Sequence, residues 1–382
     1  MISRNPFIFG KVVTGKYFTN RTKELKELKH DIKNHINVIL YGPRRYGKSS
    51  LIFHLFESLR KENRDFIGIY IDFYRIYSKE KFIKIFAESA SKALGWNVSK
   101  ILEFFKGILK TVIPRVTVDN EGKPVVDFNP QFNWAPSAES DRLLEDVMQI
   151  PIKLADTGKT VCIAFDEFQE IKKLNGNELL KELRSFIQLQ KDVSYIFSGS
   201  KTHLMKDLFA NKLNPFYNIG KIKYIDKIDT FELVEFLSKG FRDASKDITL
   251  DMAKEICNIS DSVPYYTQML AYEIFNISGI EKEITKDTVN QAVELILTSK
   301  SEEYIFIWEN LSLTQKKALE IVIKNDGKSI YNSNTLSKFH IASSSLNKAI
   351  DELKNKTIID SERQLLIFTD IFFKEWLIKR IL

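Results

Sequence analysis

The stretch Gly42-Pro43-Arg44-Arg45-Tyr46-Gly47-Lys48-Ser49-Ser50 decides how this chain is read. It satisfies G-x-x-x-x-G-K-[ST], the spacing of a phosphate-binding loop. The chemistry needs those residue types. Two glycines let the backbone curl so that successive N–H groups converge on β- and γ-phosphate oxygens. Lys48 adds a point charge to those phosphates, and the Ser49 hydroxyl is a ligand for Mg²⁺. With only 15 glycines in 382 residues, a glycine pair at motif spacing carries weight. The flanks agree. Residues 38–41, Val-Ile-Leu-Tyr, read as a buried strand, and residues 49–60 as an amphipathic helix whose N-terminus faces the anion. The alternative for the stretch is a glycine-containing turn that happens to hold a lysine.

Outward from this loop, apolar runs alternate with amphipathic stretches through the first 230 residues, the pattern of a parallel sheet flanked by helices. Strands are predicted at residues 37–41, 66–73, 160–165, 193–198 and 217–225. The third ends in Asp166-Glu167. Beside a phosphate loop, Asp166 is the expected Mg²⁺ partner and Glu167 the base that polarises an attacking water. A strand emerging into solvent would also end in acids. The fourth ends in Gly199-Ser200-Lys201-Thr202. Ser200, with Thr202 behind it, reads as a γ-phosphate sensor or as a helix N-cap, and the two roles are compatible. Residues 110–136 read as an inserted β-hairpin turning at 119–124.

Beyond residue 228 strand signals stop. Helices are predicted at residues 229–245, 249–260, 264–277 and 285–299, several with Ser, Thr or Asp where capping side chains belong. From residue 312 come helices at 314–325, 333–339 and 343–356, β-type runs at 358–359 and 365–368, and a final helix at 371–382. Three helices followed by a two-stranded wing outline a winged helix. The expected architecture is therefore α/β: a P-loop NTPase sheet over residues 1–228, an all-α lid over 229–310 and a winged helix over 311–382.

Composition bounds the rest. The chain is 44% apolar and 28% charged, a globular balance with room for two or three domains. No apolar run reaches the 18 or so residues of a membrane span, and residues 1–11 lack the apolar core of a secretory signal. Two cysteines, Cys162 and Cys257, build no disulfide framework, so a reducing cytoplasm is the expected setting. The five histidines show no ligand spacing, and no zinc site is expected.

With loop, Asp-Glu strand and polar strand end in this order, the first 230 residues resemble P-loop ATPases of the additional-strand class, AAA+ and its STAND-type signalling relatives. More closely, the chain is similar to the archaeal ATPase family. Phe18-Thr-Asn20-Arg21-Thr-Lys-Glu24-Leu25, Asp166-Glu167-Phe168-Gln169, Gly199-Ser200 and Val263-Pro264-Tyr265-Tyr266 carry that resemblance. So does Asp370-Ile371-Phe372-Phe373-Lys374-Glu375-Trp376, similar to an Asp-Pro-x-x-x-x-Trp tail with Ile371 in place of proline. Relatives usually have glycine just before the proline at position 264, where this chain has Ser262-Val263. The resemblance implies ATP/ADP and Mg²⁺ as ligands, hydrolysis of ATP to ADP and phosphate, Arg21 near base or phosphate, and Pro264 on the lid beside the adenine. Arg21 also reads as a solvated helix-start arginine.

Within the loop, one of Arg44 and Arg45 is expected to contact the nucleotide and the other to be surface charge. Arg184 reads as a solvated helix arginine or as an arginine finger acting between copies in a ring. The net charge is +7. Residues 311–382 hold 12 Lys+Arg against 8 Asp+Glu, a net +4. Ser343, Ser344, Asn347 and Lys348 suit phosphate and base edges of duplex DNA, while Asp351 and Glu352 on the same helix oppose a DNA backbone. Three functions follow as expectations: an ATP-dependent switch, a DNA-binding ATPase in which ATP is largely structural, or a scaffold for a protein partner.

Overall fold

The computed structural model describes residues 4–19, 21–109, 115–118, 124–127, 137–174, 178–281, 283–362 and 365–382. They form two compact units: residues 21–42 with 48–225, and residues 4–19 with 43–47 and 226–382.

The first unit is built on β1 (Val38–Tyr41), β2 (Phe66–Asp72), β5 (Thr160–Asp166), β6 (Val193–Gly199) and β7 (Lys221–Tyr224), with β3 (Arg115–Val118) and β4 (Pro124–Asp127) between β2 and β5 in the chain. The five strands are parallel and lie in the order β2-β5-β6-β1-β7. One strand, β6, thus separates the strand before the phosphate loop from the strand that ends in Asp166-Glu167. Every residue of β6 is buried, including Ser194, whose hydroxyl donates to the Val161 carbonyl at 3.2 Å. Parallel strands need crossovers, and helices Lys48–Glu62, Lys79–Leu94, Ser137–Asp156, Glu178–Leu189 and Thr202–Ala210 supply them. The core is aromatic: Phe168 meets Phe197, Phe209 and Phe216 with ring centroids 5.0, 5.8 and 5.2 Å away.

One difference from the sequence reading has a local cause. The fifth strand is shorter than residues 217–225, because Tyr217 turns back to the Asn214 carbonyl and Asn218 takes a left-handed φ of 61°. Within residues 110–136, β3 and β4 pair antiparallel with Arg115 opposite Asp127; of the predicted turn at 119–124, Pro124 is the first residue of β4 and the rest lies outside the described residues.

In the second unit, helices Thr230–Asp243, Leu250–Ile259, Pro264–Ser278 and Lys286–Ser299 follow one another. Asp229, Thr249 and Thr285 cap three of them with side-chain oxygens, each worth about 1 kcal/mol. The N-terminal segment packs here: Phe7 is buried against Phe241, 4.7 Å between centroids, and the Ile8 N–H donates to Gln268 Oε1 at 3.1 Å. Helix Ser301–Glu309 was not foreseen, because its apolar residues are spread around the helix rather than gathered in one stripe. Helices Leu313–Lys324, Ser333–Lys338 and Ser343–Asn355 then lead into the antiparallel pair β8 (Ile359–Glu362) and β9 (Leu365–Phe368), and into helix Ile371–Arg380.

Candidate functional site

The parallel registers place Tyr41 of β1 beside Gly199 of β6, and Asp72 of β2 beside Asp166 of β5. Loops following the carboxyl ends of such strands form the ligand-binding edge of an open α/β sheet. Gly42 and Gly47 are needed for different reasons. A Cβ on Gly42 would come within 2.3 Å of the Ile225 carbonyl oxygen, a backbone atom that cannot move aside cheaply. Gly47 faces open space, and its φ of +82° is what demands glycine.

Lys48 opens helix Lys48–Glu62, is buried, and donates from Nζ to the Gly42 carbonyl at 2.8 Å. Ser49 is half-buried and donates from Oγ to Asp166 Oδ2 at 2.6 Å. Ser50 is buried behind it. Tyr70, on β2, donates to the same Asp166 oxygen at 2.5 Å, while the Glu167 N–H donates to Asp166 Oδ1 at 3.0 Å. Burial and the Asp166 charge push the Tyr70 phenol well above its ordinary range, so it stays a donor. Burial also raises the carboxyl of Asp72, with Asp166 and Glu167 adding to the effect and the Tyr74 N–H opposing it. Ser49 Oγ and the Asp166 carboxylate are hard oxygen donors already in contact, which fits a Mg²⁺ ion. The amine of Lys48, out of water beside this pair on the same helix end, fits a phosphate anion. Among the described residues, no three His, Cys, Asp or Glu side chains gather as a metal cluster.

Glu167 follows β5 with a left-handed φ of 49°. Its Oε2 accepts from Ser200 Oγ at 2.7 Å and from the Gln169 side-chain amide. The Ser200 hydroxyl is therefore spent on Glu167. The N-cap of helix Thr202–Ala210 is Lys201, with no side-chain cap. Thr202 is buried, and its Oγ1 has no hydrogen-bond partner among the described residues. Arg21, at φ 61°, precedes helix Thr22–Lys33, is 2% exposed and pairs with Glu24 at 2.8 Å. It is thus not solvated, which removes the solvated helix-start alternative. Arg184 is half-buried on helix Glu178–Leu189, where burial lowers its guanidinium pKa.

Pro43, Arg44, Arg45, Tyr46 and Gly47 belong to the second unit, and two of them are tied to the winged helix. Arg45, left-handed at φ 69°, donates from Nη1 to Asp370 Oδ2 at 2.8 Å and to the Tyr266 hydroxyl. Its guanidinium lies 5.0 Å from the ring centroids of both Tyr265 and Tyr266. Asp370 is shared further: Oδ1 accepts from the Phe372 and Phe373 N–H groups at 3.0 and 3.2 Å, capping helix Ile371–Arg380, and from Tyr304 at 3.3 Å. Tyr266 in turn donates to the Thr369 carbonyl at 2.8 Å. Tyr46 is buried and donates to Glu362 Oε2 at 3.1 Å. Arg44 is exposed and lines a 360 Å³ pocket walled by Phe306, Ile307, Leu311 and Phe373. Pro264 is the first residue of its helix, a position where a missing N–H costs nothing. The sequence reading missed Tyr70, Asp72, Tyr266 and Asp370 as site residues. Of these, Tyr266 and Asp370 stood in recognisable patterns, Val263-Pro264-Tyr265-Tyr266 and the tail ending in Trp376.

A five-stranded parallel sheet with a glycine-flanked lysine loop after β1 and an acid pair after β5 defines a P-loop ATPase fold. This chain belongs to the family described as "ATPase domain predominantly from Archaea", which it matches over residues 18–270. Residues 302–379 match the family described as "Probable winged helix domain". The ATP-binding protein MJ0147 of Methanocaldococcus jannaschii is 29% identical over 254 residues, 60% of this chain and 62% of the relative. The chain thus covers less than two thirds of that protein. The ATP-binding protein MJ1006 of the same organism is 27% identical over 355 residues, 87% of this chain and 88% of the relative. Among solved structures, the Walker-type ATPase PABY2304 of Pyrococcus abyssi superposes with a TM-score of 0.64 at 18% identity, covering 97% of this chain and 99% of that one. No helix among the described residues is long and apolar enough to cross a membrane.

Proposed function

We propose that this chain binds Mg·ATP through Gly42 to Ser50, hydrolyses it to ADP and phosphate, and uses the cycle as a molecular switch of the AAA+/STAND type. In this reading residues 1–228 hold the nucleotide, 229–310 form its lid and 311–382 deliver the output, in the cytoplasm. Lys48 neutralises the β- and γ-phosphates. Ser49 and Asp166 hold Mg²⁺, whose chemistry is to screen the charge that builds on the leaving phosphates. Glu167 takes the proton of the attacking water. The water oxygen bonds to the γ-phosphorus, the bond to the bridging oxygen breaks, and ADP leaves with the electron pair. Ser200 reports γ-phosphate through its bond to Glu167. Arg21 and Pro264 stay candidate contacts to the nucleotide, and Arg184 a candidate finger between copies.

The contact between Arg45 and Asp370 carries the switch reading. A residue inside the phosphate loop is bonded to the N-cap of the last winged-helix segment, so a change in loop conformation reaches the winged helix without an intermediary. Lys48→Ala is expected to abolish nucleotide binding, and Glu167→Gln to keep binding but stop turnover. An undiminished rate of phosphate release from purified Glu167→Gln sinks the assignment of the base. Pull-down with the same variant searches for a protein partner.

One observation favours a second reading, a DNA-binding ATPase. Ser343, Ser344, Asn347 and Lys348 are all exposed at the start of helix Ser343–Asn355. This reading predicts binding to duplex DNA that weakens steeply with salt. Absence of binding at low salt, with and without ATP, removes it.

A further inference from the structure

The geometry points to Gln169 as the residue that positions Glu167 for proton abstraction, in a space that Gly199 keeps open. The inference rests on Glu167 being the base, as proposed above. Gln169 is 1% exposed, in the 3-10 segment Phe168–Lys173 immediately after Glu167. Its Nε2 donates to Glu167 Oε2, the oxygen that also accepts from Ser200 at 2.7 Å. A carboxylate only accepts, so the amide orientation is fixed: NH₂ toward Glu167, Oε1 away from it. With two donors on Oε2, Oε1 of Glu167 is the oxygen left to take a proton. One donor allows a carboxylate to swing about the bond it makes. Two donors from different elements, Ser200 after β6 and Gln169 after β5, hold its plane.

Room for the amide comes from a third residue. A Cβ at Gly199 would lie 2.4 Å from Gln169 Oε1 and 2.3 Å from Met205 Sδ. The thioether is flexible and can shift. The amide cannot retreat without releasing Glu167. Gly199 carries no reactive group, so its requirement here is steric. Gln169 is accordingly a positioning residue: it acts through Glu167 and does not itself take up or release a proton.

The test is steady-state phosphate release, with nucleotide affinity measured separately by a fluorescent ATP analogue. Gln169→Leu keeps the volume and removes the donor. A hydrogen bond to a charged group is expected to be worth a factor of about 10 to 100 in kcat. That loss should appear in kcat, with affinity for the analogue unchanged. Gly199→Ala should lower kcat in the same way, and still provides the test if Gln169→Leu fails to fold. Combined with Gln169→Ser, which vacates the space, Gly199→Ala should cost nothing beyond Gln169→Ser alone. Gln169→Leu on a Glu167→Gln background should add no loss, because the base is already gone. Full turnover by both Gln169→Leu and Gly199→Ala overturns the inference, as does a loss confined to KM. A wild-type chain that binds the analogue and releases no phosphate overturns the hydrolytic reading itself, a distinct result.

Discussion

Replacing Asp370 by Asn isolates what its charge does. The side chain has two jobs in one place: Oδ1 caps helix Ile371–Arg380, and Oδ2 holds Arg45 at 2.8 Å, with Lys300 at 3.6 Å. Asparagine is as good an N-cap as aspartate, so the cap survives. The ion pair does not, because the amide NH₂ then faces the guanidinium. A hydrogen bond between charged groups is worth about 1.5–3 kcal/mol when well buried. Here the partners are 32% and 16% exposed, so solvent screening brings the expectation to about 1–2 kcal/mol. Asp370→Ala should cost about 1 kcal/mol more, the value of the cap. The assay is urea unfolding followed by tryptophan fluorescence, Trp376 being buried on the helix that Asp370 caps. A cycle with Arg45→Met gives the coupling energy directly. A coupling within about 0.3 kcal/mol of zero refutes the contact as an energetic link, and with it the route proposed from loop to winged helix.

Gly42→Ala should destabilise by about 1–3 kcal/mol through overpacking against the Ile225 carbonyl, read as a lower melting temperature. Gly47→Ala should cost about 1–2 kcal/mol through left-handed strain alone. Cys162 and Cys257 are both buried and burial pushes both thiols up to about 12, so a thiol reagent should label neither in the native chain and both in denaturant. Glu62 is held below the ordinary carboxylate range by hydrogen bonds from Lys29 at 2.6 Å and Lys33 at 3.1 Å. Its folded pKa is depressed, so its contribution is present above the unfolded value and lost as pH falls through the folded one. Glu62→Gln should therefore lower the melting temperature slightly near neutral pH and leave it unchanged in acid.

The family's departures in this chain make physical sense once the backbone is known. Asp261 and Ser262 adopt φ values of 50° and 53°, the region glycine enters freely, just before Pro264. Val263, the residue directly before Pro264, has φ −83°, so its position makes no demand for glycine. Ile371 stands where the tail pattern has proline. It is the first residue after the N-cap Asp370, where proline is tolerated but never required.

Sequence alone determined what depends on local spacing. The loop from Gly42 to Ser49 is contiguous, the strand leading into Asp166-Glu167 is a single apolar run, and the helices after residue 228, Ser301–Glu309 excepted, declare themselves by period. What it could not determine depends on which distant segments meet. Strand order puts β6 between β1 and β5 and so brings Ser200 to Glu167, while Asp166 gains, beside Ser49, a second hydroxyl partner in a tyrosine on β2, 96 residues away. Arg45 finds Asp370 across 325 residues, a pairing no window of sequence contains. Burial decides the rest: Arg21 also reads as a solvated helix-start arginine until the fold shows it removed from water, where an ionic partner such as Glu24 becomes an energetic necessity.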